Sequence, residues 1–283
     1  MAIFTNFATL SYNGGSTVSN TVTGEIIETL SLEKIALSGT YSPDGNVTYI
    51  LSLANTGTTA FTGLTLTDDL GGYLTPTATA YPLSYVADSI RYFVNGTLQP
   101  APIVTAGPPL GISGISVPAG GNVIIVYETE LTAFAPLASG STITNTVTAS
   151  GGGLSTPLTA QETVTVDNDI DLSITKSLSP TIVSENGQIT YTFLIENRGN
   201  TPATVADNIV LSDTFDPILS NITVTLNGVP LTAGTDYTYN TATGLFTTNP
   251  GVITVPAATF TQNPDGTWTA TPGTAVLTVT GTV

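Results

Sequence analysis

The sequence predicts an all-β chain made of two tandem copies of one domain. Three observations predict it. Thr, Val, Ile, Gly and Pro are abundant, and alternating apolar and polar runs are separated by Gly, Asn, Asp and Pro clusters. No stretch sustains a helical period, and no apolar run is long enough to span a membrane. The third observation is an internal repeat. SLEKIALSGTYSPDGNVTYILSLANTG (31–57) aligns without a gap to SITKSLSPTIVSENGQITYTFLIENRG (173–199), matching Lys34 to Lys176, Tyr49 to Tyr191 and Asn55 to Asn197.

The repeat continues along the chain. After a short insertion, LTLTDDL (64–70) matches IVLSDTF (209–215); VNGT (94–97) matches LNGV (226–229), and NVIIVYETEL (122–131) matches TAVLTVTGTV (274–283). The first copy then runs on through STITNTVTASGGGLSTPLTAQETVTVDND, which reads as a strand, a loop and a second strand. The second copy stops where that segment would begin. Its counterpart is at the other end: FTNFATLSYNGGSTVSNTVTGEIIETL in residues 1–30 resembles residues 143–172, and both run into the lysine-bearing strand of a repeat. The expected organisation is donor strands at 1–30, a complete β-sandwich repeat at 31–170, and a repeat lacking its final strands at 171–283.

The opening stretch has no basic segment and no long apolar core, so it is not read as a secretory leader. It reads as a strand with Phe4, Asn6, Ala8, Leu10 and Tyr12 on one face and Thr5, Thr9 and Ser11 on the other. A sandwich without its edge strands exposes backbone donors, acceptors and core. The leading pair of another copy can fill that gap by strand addition, and because donor and acceptor are different surfaces the contact need not close. The alternatives are that residues 1–30 fold back on the first repeat, or that the ends of the sequence are arbitrary.

Composition narrows the function. The 283 residues carry 20 acidic and 4 basic side chains, a net charge of −16, which argues against nucleic acid or an anionic membrane as partner. There is no His and no Cys, which removes the commonest general base, thiol chemistry, disulfides and most zinc or copper sites. No phosphate loop or dinucleotide fingerprint is present. The expectation is a chain that is not an enzyme, with no cofactor, no metal site and no membrane insertion. DNDID (167–171) is read as a solvated linker in preference to a Ca²⁺ site, since it lacks EF-hand spacing. SPDGN (42–46) and NPDG (263–266) are read as turns. Arg91 and Arg198 have no partner identifiable from sequence.

Strand alternation singles out three inward polar residues per repeat. Lys34 shares a face with Leu30, Leu32 and Ala36, and Lys176 with Leu172, Ile174 and Leu178. Asp68 falls in line with Leu64, Leu66 and Leu70, and Asp213 with Ile209, Leu211 and Phe215. Asn145 lies between Ile143 and Val147, and Asn6 between Phe4 and Ala8; Asn20, beside Val18 and Val22, is a rival to Asn6. Asp69 is expected to face solvent. Buried together, such groups can react. Desolvation favours a neutral, nucleophilic lysine and a protonated aspartate, which can polarise the carboxamide and pass a proton to departing ammonia. The product is a Lys–Asn isopeptide bond, formed once per site. The plainer reading is a buried Lys–Asp ion pair in each repeat.

The segments KSLSP (176–180), VTYILSLANTG (47–57), LTDDL (66–70) and NFATLSY (6–12) resemble the bacterial surface repeats known as domain of unknown function eleven. They are also similar to the isopeptide-forming domains of Gram-positive fimbrial subunits. That resemblance implies an immunoglobulin-like or prealbumin-like β-sandwich in extracellular surface fibres. It also implies crosslinks from a first-strand Lys to a late-strand Asn with an acidic residue between: Lys34, Asp68 and Asn145 in the first repeat, and Lys176 and Asp213 with Asn6 of a neighbour in the second. The expected function is a structural fibre subunit that polymerises head to tail with copies of itself, located outside the cell on a cell or spore surface. The alternative is a monomeric adhesive module that presents its loops to a ligand.

Overall fold

The computed structural model describes residues 2–43 and 45–283; Asp44, in the SPDGN turn, lies outside the described residues. Apart from one turn of 3-10 helix at Val205–Asp207, the regular elements among the described residues are all strands. The chain divides into two compact units. One holds residues 1–135 and 142–165 with 264–266, and the other residues 136–141 and 166–263 with 267–283.

The first unit contains a sandwich of two six-stranded sheets. In one sheet the long strands Asn122–Leu131 and Asn46–Asn55 pair, and the lysine strand Leu30–Ala36 forms the edge beside Asn46–Asn55. In the other, the aspartate strand Phe61–Asp68 lies between Leu110–Val117 and the asparagine strand Thr142–Gly151, with Leu158–Val166 beyond. The period of two in the sequence becomes the core. Val47, Tyr49, Leu51 and Leu53 face Leu64, Leu66, Ile112, Ile115, Val147 and Ala149, all buried.

Asn55 and Asn197, matched by the repeat, do the same job in the two units. The Asn55 side chain donates to the carbonyls of Thr59 and Pro118 and accepts from the Gly57 N–H. Asn197 donates to the Thr201 carbonyl and accepts from Gly199 and Asp171. Each latches the turn that ends a long strand, which is why Asn is needed there and why it is buried. The linker segment 167–171 is tied down by such amides as well, with the Asn200 side chain bonded to the backbone of Asp167 and Asp169.

The second unit repeats the first sheet but not the second. Leu172–Ser179, Gln188–Asn197 and Gly273–Thr282 pair in order, followed by Ser220–Leu226 and Val229–Pro230. The opposing sheet has only Ser212–Thr214, Leu245–Thr248 and Tyr237–Tyr239. The aspartate strand shrinks from eight residues to three. Among the described residues no strand pairs with its other edge, the edge that the asparagine strand occupies in the first unit. Every residue of Leu172–Ser179 is exposed, Leu172, Ile174 and Leu178 included, whereas Leu30 and Lys34 at the equivalent positions are buried.

Residues 2–26 form a ribbon that pairs only with itself among the described residues. Ala2–Asn6 pairs with Val22–Ile26, and Thr9–Tyr12 with Gly15–Val18. The sequence suggests one continuous strand from Phe4 to Tyr12, but the structure interrupts it at Phe7 and Ala8. There Ala8 exchanges bonds with Ser19: its N–H donates to Ser19 Oγ and its carbonyl accepts from the Ser19 N–H. One extra residue on the return strand, Ser19–Thr21 standing against Phe7 and Ala8, forces this irregularity. The ribbon exposes Phe4, Phe7, Leu10, Tyr12, Val18 and Val22. A two-stranded ribbon with apolar side chains in water is marginal alone and has a free edge for pairing.

Candidate functional site

In the first unit the three predicted residues converge. Lys34 projects from the edge of one sheet, while Asp68 and Asn145 project from adjacent strands of the other. The register sets Asp68 opposite Val147, so Asn145, two residues earlier on its strand, presents its side chain on the same face, diagonal to Asp68. Lys34 Nζ donates to Asp68 Oδ2 at 2.6 Å, and both side chains are sealed from solvent, at 0% and 1% exposure. The Tyr127 hydroxyl donates to the same carboxylate oxygen, and the Leu70 N–H donates to Oδ1 at 3.0 Å. Lys34 Nζ lies 4.6 Å from the centre of the Tyr49 ring, which stacks on Tyr127 with centroids 5.7 Å apart.

Asn145 is fully buried, yet neither its Oδ1 nor its Nδ2 has a hydrogen-bond partner, and the Tyr49 hydroxyl has none. Each buried polar group left unpaired costs about 1–3 kcal/mol. The core of the first sandwich therefore keeps a bare carboxamide and a bare phenol around a sealed Lys–Asp pair, a cost that packing alone does not explain.

Burial pushes the Lys34 ammonium below the 10.5 of an ordinary lysine, against the opposing attraction of Asp68. The Tyr127 phenol is held well above its ordinary value by burial and by the Asp68 charge. Tyr49 is raised as well, chiefly by burial, with the Asn145 amide pulling the other way. Both phenols therefore remain protonated donors at any physiological pH.

Asp69 departs from the expectation of a solvated carboxylate. Its Oδ1 accepts from the N–H groups of Gly71 and Thr146 at 2.9 Å each, stitching the end of the aspartate strand to the asparagine strand next to the site. Tyr49 and Tyr127 are not among the site residues that strand alternation singles out. The signal for Tyr49 was available, because the repeat matches it to Tyr191 and alternation turns it inward.

In the second unit Lys176 and Asp213 also pair, but in a different setting. Their side chains are 41% and 19% exposed. The expectation that Lys176 sits on a covered core face is thus only half met: among the described residues no strand pairs with the edge beside Asp213. Three rings line the ammonium: Tyr191 at 4.4 Å, Phe193 at 5.5 Å and Phe215 at 5.6 Å from their centres. Tyr127 has no counterpart there. Tyr49 pairs across the sheet with Tyr127, whereas Tyr191 pairs with Val279. Asn6 lies exposed in the ribbon opposite Val22, and Asn20 falls in the irregular stretch of the return strand. Arg91 finds the backbone carbonyls of Asp88 and Ile90, and Arg198 a loose pair with Glu196 at 3.4 Å.

The class that fold and site define is a tandem β-sandwich protein with one sealed and one open Lys–Asp site. No family model and no curated protein matches the chain. Among solved structures it is similar to BcpA, the major pilin subunit of Bacillus cereus, at 12% identity over 96% of this chain and 73% of that one, with a TM-score of 0.37. It is also similar to the major pilin GBS80 of Streptococcus agalactiae (35 kDa C-terminal fragment), at 12% identity over 87% and 86% of the two chains, TM-score 0.35. The pilus backbone RrgB from Streptococcus pneumoniae is matched at 10% identity over 83% of this chain, TM-score 0.34; the chain spans 52% of that structure.

Two outcomes follow from the site geometry. Asp68→Asn leaves the Lys34 ammonium buried without a counter-charge and should lower the stability of the first sandwich by about 3–5 kcal/mol in denaturant melts. Asp213→Asn breaks a partly hydrated pair and should cost less than about 1 kcal/mol; equal losses would contradict the difference in burial. The second concerns pH. In an Asn145→Ala chain, which cannot react, the folded state holds the Lys34 proton less tightly than the unfolded state. The Lys34 contribution, read as the stability difference from the same chain with Lys34→Met added, should therefore rise as pH increases toward 10.5, while the raised phenols lower both chains alike near pH 10.

Proposed function

We propose that the chain is the structural subunit of an extracellular bacterial fibre that polymerises head to tail, with residues 1–30 of one molecule completing the second sandwich of the next. In this reading residues 31–170 form the self-sufficient repeat and 171–283 the acceptor. The observation that carries the proposal is the contrast between the two repeats. One has an asparagine strand seated against its Asp and Lys; the other has the same Lys and Asp, a free strand edge and an exposed apolar face. The ribbon supplies what is lacking: the sequence pattern of the asparagine strand, exposed apolar side chains and no pairing outside itself.

Placed as Thr142–Gly151 is placed in the first sandwich, the ribbon brings Asn6 to the position of Asn145, Ala8 opposite Asp213 and Leu10 to the position of Ala149. Asn20 then falls on the outer strand, one strand farther from Asp213, and this favours Asn6 as the partner of Lys176. Burial by the incoming strand excludes water from Lys176 and Asp213, so the junction acquires the environment that Lys34 and Asp68 have from the start.

Each site then forms one amide. Lys Nζ passes a proton to the Asp carboxylate, and its lone pair attacks the Asn Cγ. Asp returns that proton to the carboxamide nitrogen, the C–N bond breaks and ammonia leaves. The carboxylate finally takes the remaining excess proton from Nζ. An ion pair and a carboxamide become an amide, ammonia and a protonated Asp, with no oxidant or cofactor. The bonds are Lys34–Asn145 within a molecule and Lys176–Asn6 between molecules.

Boiling purified material in detergent and measuring intact masses tests this. A ladder of oligomers is expected, with one ammonia missing per bond. Lys176→Ala should collapse the ladder to monomers that still lack the ammonia of the Lys34 bond. Removing residues 1–26 should abolish filaments altogether. Filaments from the truncated chain, or a stable monomer from the intact one, would exclude strand donation, and the latter would favour the adhesive module.

A further inference from the structure

The Tyr49 hydroxyl and the Asn145 carboxamide are both buried and both unpaired. A tyrosine retained in a core for its ring alone gains nothing from such a hydroxyl; phenylalanine would fill the space without the desolvation cost. The ring also meets the ammonium of Lys34 with its face, 4.6 Å from Nζ to centroid. One residue therefore borders both reacting groups: its face holds the amine, and its hydroxyl lies near enough to the Asn145 carboxamide to interact with it, without a hydrogen bond of ordinary geometry in the unreacted state. The second repeat keeps this residue while its surroundings change. Tyr191 holds the same relation to Lys176, at 4.4 Å, although Leu51 has become Phe193, Leu70 has become Phe215 and Tyr127 has become Val279.

We infer that Tyr49 is a catalytic residue of the Lys34–Asn145 site, its hydroxyl donating to Asn145 Oδ1 as negative charge gathers there during attack, and that Tyr191 does the same for the incoming Asn6. Tyr127 also borders the Asn145 amide, but its hydroxyl proton is committed to Asp68, which makes it a positioning residue of the first site only. It bonds Asp68 and fixes the carboxylate between the amine and the departing nitrogen. The inference rests on the amide-forming reading of the site and adds the group that stabilises the transition state. A carboxamide is a poor electrophile, and Asp68 is occupied with the proton moving from Nζ to Nδ2. A separate, pre-oriented donor for the oxygen relieves it of a second task. Such donors act most strongly where water is excluded, as it is here.

The test is a time course on the full chain, refolded from inclusion bodies and quenched in acid, with mass spectrometry following loss of ammonia at the Lys34–Asn145 pair. Circular dichroism follows folding in parallel. Tyr49→Phe keeps the ring and its stacking. It should fold as the natural chain does while forming the bond about 10²–10³-fold more slowly, the usual loss when one such donor is removed. Tyr127→Phe should slow the same bond and leave the ladder-forming bond at its natural rate; Tyr191→Phe should do the reverse. A purely structural role predicts instead that Tyr49→Phe is at least as stable and reacts at the natural rate, and that result would overturn the inference alone. If the natural chain folds but never loses ammonia, the amide-forming reading falls and this inference with it. Should Tyr49→Phe fail to fold, the Tyr191→Phe ladder rate decides: an unchanged rate overturns the proposal, a slowed one supports it.

Discussion

A lysine buried against an aspartate, with a carboxamide beside them that bonds to nothing, is the constraint on which this molecule turns. Neither charge tolerates burial alone, since an unpaired ion in a core costs several kcal/mol. Lys34 comes from one sheet and Asp68 and Asn145 from two strands of the other, so the arrangement exists only where all three strands are present and both sheets face each other. Completeness of the sandwich and burial of the site are the same condition. The backbone around it is fixed accordingly: Leu70 and Tyr127 hold the Asp68 carboxylate, and Asp69 fastens the asparagine strand alongside.

The second sandwich shows the same pair beside an edge that no described strand covers. Its Lys176 and Asp213 are only partly covered, its aspartate strand contracts, and apolar side chains on its lysine strand are exposed. In such a setting the ammonium stays solvated and cradled by aromatic faces, and no carboxamide is at hand. Under the proposed assembly this is a safeguard as much as a defect. The crosslink cannot form before the correct strand has arrived, because the strand brings both the electrophile and the exclusion of water. The acidic surface serves the same end by keeping unassembled molecules apart. Only two lysines occur in the chain, and both are in these sites.

Much of this was legible in the residues. The period of two placed Lys34, Asp68 and Asn145 on core faces, and the repeat transferred two of them to Lys176 and Asp213. Four things were not. Half-burial of Lys176 depends on which strands lie across from it, which alternation along a single strand cannot report. The irregularity at Phe7–Ala8 arises from unequal strand lengths across the ribbon, visible only once the pairing is known. Asp69 looked solvated because its side-chain direction opposes Asp68, but its carboxylate curls back to the backbone of the neighbouring strand. The phenols of Tyr49 and Tyr127 were hidden among ordinary core aromatics, since sequence gives a ring's burial but not what its hydroxyl faces.

The most direct measurement mixes isotopically heavy and light chains before assembly, digests the boiled polymer and identifies branched peptides. The account predicts species in which a light strand carrying Asn6 is joined to a heavy strand carrying Lys176, and the converse, while Lys34–Asn145 peptides are always of one isotope. Asn6–Lys176 peptides of uniform isotope only, or none at all, would contradict it.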